Sequence, residues 1–205
     1  MNIHRVLGIC FASILLLTVE ALASTSFYYT SSPDSWVGGG ETVLVTPDQG
    51  FEFSIWRNFD NGVSISINDF DENPDSSSAR WWYLDFAAPD NAQINVGDYL
   101  DATRYPFQAS SEPGLNFSGN GRGNNELTGY FSIREAEYGA DGLVLSFAAD
   151  FTQYDEGLES WWNIGRLMYH SSIKAYPVPE PATLMLFLSG LSFLFAPSYL
   201  KRRFK

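Results

Sequence analysis

Residues 51–67 read FEFSIWRNFDNGVSISI, and this stretch decides the fold class. Apolar side chains occupy every second position on both sides of Asp60-Asn61-Gly62. Alternation with a period of two places all the apolar side chains on one face, so the stretch predicts two half-buried β-strands. The apolar positions are Phe51, Phe53, Ile55, Val63, Ile65 and Ile67.

The Asn-Gly pair between the two runs predicts a tight hairpin. A two-residue loop would place Phe59 opposite Ser64 and put the two apolar sets on opposite faces. A three-residue loop with Gly62 in the left-handed conformation pairs Ile55 with Ile67 and keeps one apolar face. We therefore predict the three-residue loop.

Further strands follow along the chain. Alternation resumes at 143–152, and Asp141-Gly142 predicts a second hairpin that joins it to a strand at 129–138. Short strands with antiparallel turns predict one all-β domain over residues 24–176, built as an antiparallel sandwich or an open barrel. The remaining predicted strands lie near 42–46, 80–86, 98–104 and 162–173.

Residues 1–23 have the three-part layout of a secretory signal peptide. A basic start at Arg5 precedes an apolar run over 6–19 and small residues at Ala21 and Ala23. The run is shorter than the roughly 20 residues that span a bilayer, so we predict a signal helix cleaved after Ala23. A retained membrane anchor is the alternative. The implied partners are the Sec machinery and signal peptidase.

A second apolar stretch, ATLMLFLSGLSFLFAPSYL at 182–200, carries no charge. As a helix it would rise about 28 Å, close to the hydrocarbon thickness of a bilayer. The sequence therefore predicts a carboxy-terminal transmembrane helix. Basic residues stay on the cytoplasmic side, so the tail at 201–205 orients the helix with the domain outside. The charged tail residues are Lys201, Arg202, Arg203 and Lys205.

Pro179-Glu180-Pro181 stands directly before this helix. The tripeptide, the helix and the basic tail together resemble a PEP-CTERM sorting signal over residues 177–205. The resemblance implies recognition by an exosortase, a membrane-embedded cysteine transpeptidase, in a Gram-negative bacterium that secretes polysaccharide. It implies an inner-membrane precursor and a product at the cell surface or in the extracellular matrix. A proline-rich spacer before an ordinary tail anchor is the alternative.

Charge and composition limit the chemistry of the domain. Residues 24–178 contain 7 Lys and Arg against 22 Asp and Glu, a formal charge of −15, whereas the whole chain carries −12. Such a field repels phosphates, which excludes nucleic acid as a partner and leaves cations, neutral sugars and basic surfaces. Cys10 leaves with the signal peptide, and His170 is then the only histidine. We assign no catalytic residue, no metal ligand and no cofactor, since thiolates and paired histidines are missing.

The middle of the chain also resembles a family of small exported bacterial domains to which no activity is attached, over roughly residues 80–170. The main motifs are WYLDFAAPD at 82–90, ATRYPFQ at 102–108, SGNGRGNN at 118–125 and FAADF at 147–151. In the family pattern one cysteine follows Gly-Arg-Gly and another follows Phe-x-Gln-x. Here Asn124 and Asp155 stand at those positions. Both cysteines of the family pattern are therefore absent together, as expected if they form one disulfide in relatives.

Two adjacent tryptophan pairs interrupt the strand patterns. On a strand, the two members of such a pair face opposite sides of the sheet. An exposed member would be able to stack on a sugar ring, and core packing is the alternative. The candidates for carbohydrate stacking are Trp81, Trp82, Trp161 and Trp162.

An acidic run begins at Asp69 and resembles the start of a calcium loop, with oxygen-bearing side chains at alternate positions. Pro74 and Arg80 stand where that loop requires glycine and glutamate. We therefore predict a solvated acidic connection between strands. Its members are Asp69, Asp71, Asn73 and Asp75.

Two function hypotheses follow. The first is a non-enzymatic surface or matrix protein that contacts exopolysaccharide. The second is an extracellular hydrolase, such as a glycosidase, that uses two carboxylates. A concave pocket with two close carboxyls would favour the enzyme, and a flat sheet face with aromatic rings would favour binding.

Overall fold

The computed structural model describes residues 23–73 and 78–173. The predicted signal helix up to residue 22, the sorting motif, the transmembrane helix and the basic tail lie outside these ranges, as does Asp75 of the acidic run. Ala23 opens the described part and is exposed. No helix within the described ranges is long and apolar enough to cross a membrane.

The described residues form ten strands in one sheet, which confirms the all-β prediction. The strand order is β2-β1-β10-β9-β8-β6-β7-β5-β4-β3, with β2 and β3 at the two edges. Pairing is antiparallel except between β6 and β7, which run parallel. The strands are β1 Ser24–Ser31, β2 Thr42–Val45, β3 Glu52–Arg57, β4 Val63–Asn68, β5 Trp81–Ala87, β6 Gly97–Arg104, β7 Gly114–Gly119, β8 Leu127–Tyr138, β9 Val144–Asp155 and β10 Trp162–Ser171.

The sheet curls into a half-barrel, so that one half of it packs on the other. Phe27 of β1 lies 5.7 Å from Trp82 of β5, measured between ring centroids. Phe86 of β5 lies 5.2 Å from Phe131 of β8. These rings are all at most 1% exposed. The core therefore lies between the two halves, and their outer faces point in opposite directions.

The two halves are joined at β6 and β7, where only two residue pairs are in register. Beyond this junction the edge of β7 has no paired strand, so the backbone N–H and carbonyl of Phe117 need other partners. Gln153 of β9 is fully buried and satisfies them at Phe117. Its Oε1 accepts from the Phe117 N–H over 2.7 Å, and its Nε2 donates to the Phe117 carbonyl over 2.9 Å. A side chain therefore replaces the missing neighbouring strand at this point.

The predicted register of the first hairpin is wrong by two residues. Ile55 pairs with Ile65 rather than Ile67, because β3 ends at Arg57 and a five-residue loop follows. Asn61, with φ 62°, takes the left-handed conformation predicted for Gly62. The alternation of apolar side chains does not distinguish the two registers, since a shift of two residues leaves every side chain on the same face.

The second hairpin and the other predicted strands occur close to their expected positions. Strands β1 and β7 were not predicted. In β7 only two apolar side chains alternate, and glycines stand at both ends. Gly119 is required there because a Cβ would lie 2.4 Å from the indole of Trp82. A short glycine-bounded segment has too few periods to indicate a strand.

A fully buried carboxylate, Asp155, organises the polar part of the core. Its oxygens accept from the hydroxyl of Ser35, the backbone N–H of Val37 and three side-chain amides. The two carboxylate oxygens have several lone pairs, so one side chain is able to serve all of these groups. We call this group the Asp155 network. Its members are Ser35, Val37, Asn124, Gln153, Asp155 and Asn163.

Asn124 and Asp155 are the two positions at which the family resemblance implies a disulfide. Asn124 Nδ2 donates to Asp155 Oδ1 over 2.9 Å. The fold thus brings the two positions into direct contact, and hydrogen bonds connect them here.

We predict that Asp155→Ala strongly destabilises the domain. The substitution leaves several buried donors without an acceptor, and each costs about 1–3 kcal/mol, so a loss of at least about 3 kcal/mol is expected. Chemical denaturation of the purified mature protein measures it. Glu159→Ala, at an exposed position in the turn before β10, is the control and should leave the midpoint unchanged. An Asp155→Ala midpoint equal to wild type would contradict the role of the network.

Candidate functional site

The outer face of β3, β4, β5 and β7 combines aromatic rings with small polar side chains. Trp56, Ser64, Asp85 and Asn116 form one row across the four strands. The parity that sends Leu84 into the core sends these side chains outward. The next row is Ser54, Ser66, Tyr83 and Ser118. We call this surface the Asp85 face, with Trp81 and Tyr105 as its other members.

Asp85 lies at the centre of the face, half-buried. The Ser64 hydroxyl donates to its Oδ1, and Asn116 Nδ2 donates to its Oδ2 over 2.9 Å. Asn58 Nδ2 supports this arrangement by donating to Ser64 Oγ over 2.7 Å and to the Tyr105 hydroxyl over 3.0 Å. The carboxylate is therefore held in one orientation by neutral groups.

Burial raises the pKa of Asp85 above its ordinary value, and the negative charge of Asp60 raises it further. The hydrogen bonds from Ser64 and Asn116 oppose this rise in pKa. Within residues 23–73 and 78–173, no arginine or lysine pairs with this carboxylate. A buried carboxylate without a cationic partner does not stabilise the fold when it is ionised. Carboxylates whose pKa is shifted in this way are concentrated at functional sites.

The rings of the face are accessible from solvent. Trp56 is 43% exposed and Tyr83 is 41% exposed. Trp81 is half-buried and lies 5.4 Å from Tyr83 between ring centroids. Sequence reasoning selected Trp81 but missed Trp56 and Tyr83. Their strand parity was a usable signal, since both alternate with residues of the predicted apolar face.

The other tryptophan candidates lie elsewhere. Trp82 is 1% exposed and packs in the core, with Arg80 over its ring at 4.8 Å. The inclusion of Trp82 among the stacking candidates was therefore wrong, because the strand turns it inward. Trp161 lies half-buried in the turn before β10, and Trp162 opens β10 on the outer face of the other half of the sheet.

Asp69 of the acidic run makes hydrogen bonds within its own loop. The two oxygens of Asp69 accept from Asn73 Nδ2 over 2.8 Å and from the Arg80 N–H over 2.7 Å. In the part of the chain that the structure describes, no three His, Cys, Asp or Glu side chains are grouped to hold a metal ion. His170 is exposed and stacks on Tyr169.

Two carboxylates approach the same tyrosine at the edge of the face. Burial raises the pKa of Tyr105 to about 12, and the charges of Asp60 and Asp85 add to the effect. Asp60 is only 5% exposed and accepts from the Gly62 N–H over 3.0 Å. A depression of about 570 Å³ beside Trp56 contains a different carboxylate, Asp141.

A family model described as the PEP-CTERM protein-sorting motif matches residues 177–203. The chain carries a PEP-CTERM sorting motif. This confirms the sequence prediction for that segment and indicates an exported, membrane-anchored precursor with exosortase as its processing partner. No curated protein and no solved structure matches the chain.

The motif residues Pro179, Glu180 and Pro181 lie outside the described residues. The domain that precedes the PEP-CTERM motif ends its last strand at Ser171. Glu135 holds this end, since its carboxylate accepts from the hydroxyl of Ser171 over 2.6 Å and from the N–H of Ser172 over 3.1 Å. The point at which the chain leaves the domain toward the PEP-CTERM motif is thereby fixed.

Asp85 and Asp150 are predicted to respond oppositely to substitution by asparagine. Because the folded pKa of Asp85 is raised, its ionisation costs stability as the pH rises through that pKa. Asp85→Asn should therefore raise the thermal midpoint at neutral pH, and the gain should disappear as the pH falls below the ordinary aspartate pKa. Thermal unfolding measured from acid to neutral pH tests this.

Asp150 is the matched control. Burial acts to raise its pKa, but the hydrogen bonds and charges of Arg166 and Arg134 outweigh burial and lower the pKa. Its stabilisation is present above the ordinary pKa and is lost as the pH falls through the lowered one. Asp150→Asn should lower the midpoint at neutral pH. Equal shifts of the same sign in both variants would contradict the assignment.

Proposed function

We propose that this chain is the precursor of a non-enzymatic surface or matrix protein of an exopolysaccharide-producing Gram-negative bacterium, and that its acidic domain binds polysaccharide through the Asp85 face. Export and exosortase processing rest on the PEP-CTERM motif. Binding rests on one observation, the oriented and cation-free Asp85 beside the exposed rings of Trp56 and Tyr83.

The chemistry of the face suits a saccharide. An aromatic ring presents a flat apolar surface with negative charge density at its centre, and the C–H groups of a pyranose ring pack on such a surface. Asp85 accepts hydrogen bonds, and Asn116 both donates and accepts them. Neighbouring sugar hydroxyls need this combination. The domain charge of −15 favours a neutral glycan over an acidic one.

The carboxy-terminal segment supplies the route to the surface. Two prolines disfavour helical backbone before them, so we expect a transpeptidase to be able to reach this segment next to the predicted helix. The apolar stretch then acts as a temporary stop, and the basic tail sets its orientation. Processing would release the acidic domain into the matrix or transfer it to another anchor.

A carboxylate-dependent hydrolase is the second candidate, and the proximity of Asp60 to Asp85 favours it. Two carboxyls with different environments are the arrangement of an acid and base pair. Asp60, however, is almost fully buried and already accepts a hydrogen bond from the Gly62 N–H of its own loop. The accessible part of the face is a surface with rings, which favours binding.

Replacement of Pro179, Glu180 and Pro181 by alanine tests the sorting step. The helix and basic tail remain, so the variant should accumulate uncut in the inner membrane of the native host. Mass spectrometry of the carboxy-terminal peptide, in hosts with and without exosortase, measures processing. A mature wild-type protein that retains Lys205 would contradict processing, and equal mass and location of the two proteins would make the motif a spacer.

Trp56→Ala and Tyr83→Ala test the binding face. Each should weaken affinity for the host exopolysaccharide by at least about tenfold, because a stacking ring is lost from an exposed position. Isothermal titration with the mature protein measures this. Phe59→Ala is the control, since Phe59 is 94% exposed at the tip of the β3–β4 hairpin and off the face.

The same samples separate binding from hydrolysis. A binding protein leaves the number of reducing ends constant over prolonged incubation. Release of reducing ends by the wild type, lost in Asp85→Asn, would establish the hydrolase instead. Unchanged affinity in both ring variants would remove the Asp85 face from the proposal.

A further inference from the structure

The outer face of the other half of the sheet carries a second set of rings. Tyr154 of β9 pairs with Trp162 of β10, and Tyr130 of β8 pairs with Thr152, the next outward residue of β9. Tyr130 and Tyr154 are diagonal neighbours on this face. We call this surface the Tyr154 face. Its members are Thr30, Thr128, Tyr130, Thr152, Tyr154, Trp162 and Ile164.

The rings of this face form a short track across three neighbouring strands. Adjacent strands are about 4.8 Å apart, so the track extends roughly two strand spacings. Tyr130 is 44% exposed and Ile164 is 46% exposed, while Tyr154 and Trp162 are half-buried. Thr30 and Thr128 place hydroxyls beside the rings, whereas Thr152 is buried. Aromatic rings beside hydroxyl groups are therefore common to the two faces.

The charged group beside the track is neutralised locally. Asp150 accepts from Arg166 Nη2 over 2.8 Å, and Arg134 Nε donates to it over 3.0 Å. Asp150 therefore adds little net charge to the Tyr154 face, but a second carboxylate lies close by: burial raises the pKa of Tyr154, and the charge of Glu159 adds to the rise. A neutral polymer carries no charge for these carboxylates to repel, whereas an acidic polymer does.

A second copy of the chain fits this face less well. Each copy carries a domain charge of −15, so two copies repel each other. The face also alternates hydroxyls with rings, and does not present the continuous apolar area of an obligate dimer interface. Charge and composition together select a neutral glycan as its occupant.

The Tyr154 face and the Asp85 face lie on opposite sides of the domain. The inner faces of the two halves pack against each other, for example at Phe117 and Phe151, whose ring centroids are 5.4 Å apart. The Asp85 face and the Tyr154 face therefore look away from each other across the core. One glycan strand cannot lie flat on both faces at once.

We propose that the Tyr154 face is a second glycan-binding face, and that the mature domain is bivalent and cross-links separate polysaccharide strands. The inference rests on the proposed binding at the Asp85 face. A protein with two low-affinity binding faces on opposite sides is able to join two polysaccharide strands. Attachment through both faces also strengthens its retention in a polymer network without any new contact.

The test compares three variants of the mature protein recovered from the native host. One removes rings from the Asp85 face (Trp56→Ala with Tyr83→Ala), one from the Tyr154 face (Tyr130→Ala with Tyr154→Ala), and one is a control, Phe59→Ala, 94% exposed at the tip of the β3–β4 hairpin. Light scattering of host exopolysaccharide measures cross-linking, and titration measures binding. Equal thermal midpoints establish that each variant is folded, and Tyr130→Ala alone replaces the double variant of the Tyr154 face if that variant is not folded. Tyr130→Phe, which keeps the ring, is a second control.

The wild type, the control and Tyr130→Phe should raise the scattering several-fold, and excess protein should reverse the rise because each strand becomes saturated. Each single-face variant should still bind but should lose the rise in scattering. A variant that combines both sets should not bind.

Three results would overturn the inference. Cross-linking by the Tyr154-face variant at the wild-type level would remove this face while leaving the Asp85 face in place. Full binding and cross-linking by the Asp85-face variant would instead refute the proposed function, and with it bivalency. Scattering that rises for wild-type protein without glycan, and falls on Tyr130→Ala, would make the Tyr154 face a self-association surface.

Discussion

Two hydrogen bonds from Gln153 to the backbone of Phe117 hold together the two halves of this domain. The halves share only two residue pairs between β6 and β7, so the sheet would have an unpaired buried edge without that side chain. An unsatisfied buried backbone group costs about as much as a lost hydrogen bond, which selects a side chain with one donor and one acceptor. Once this edge is closed, the aromatic rings of both halves form one core and the outer faces are turned apart.

Gln153 also connects the core to the Asp155 network, because its amide donates to Asp155 over 3.1 Å. Residues 24–178 contain no cysteine, and the hydrogen bonds of the Asp155 network connect β7, β9, β10 and the loop that holds Ser35. A buried carboxylate with five donors is a specific solution, since few other arrangements satisfy every group. Asn124 and Asp155, the positions at which the resemblance implies a disulfide, are joined here by a hydrogen bond.

Two aspartates of this sheet, Asp85 and Asp150, have pKa values shifted in opposite directions. Asp150 lies between Arg134 and Arg166, and its pKa is lowered, which marks a stabilising group. Asp85 has neutral partners and a raised pKa, which marks a group retained at a cost to stability. The position of Asp85 among exposed rings is the ground on which ligand binding is proposed. The PEP-CTERM motif supplies the setting in which such a ligand would be met.

The sequence by itself determined the all-β class, the acidic character and the sorting motif, because strand alternation, charge and a linear motif are all local properties. It located eight of the ten strands approximately and indicated through parity that the two tryptophans of a strand pair face opposite sides of the sheet. Only the tertiary structure decided the hairpin register, the parallel β6–β7 pair, the burial of Trp82 and the grouping of Trp56, Tyr83 and Asp85. These depend on which strands become neighbours, and a period of two is the same for every strand order and for every register shifted by two residues.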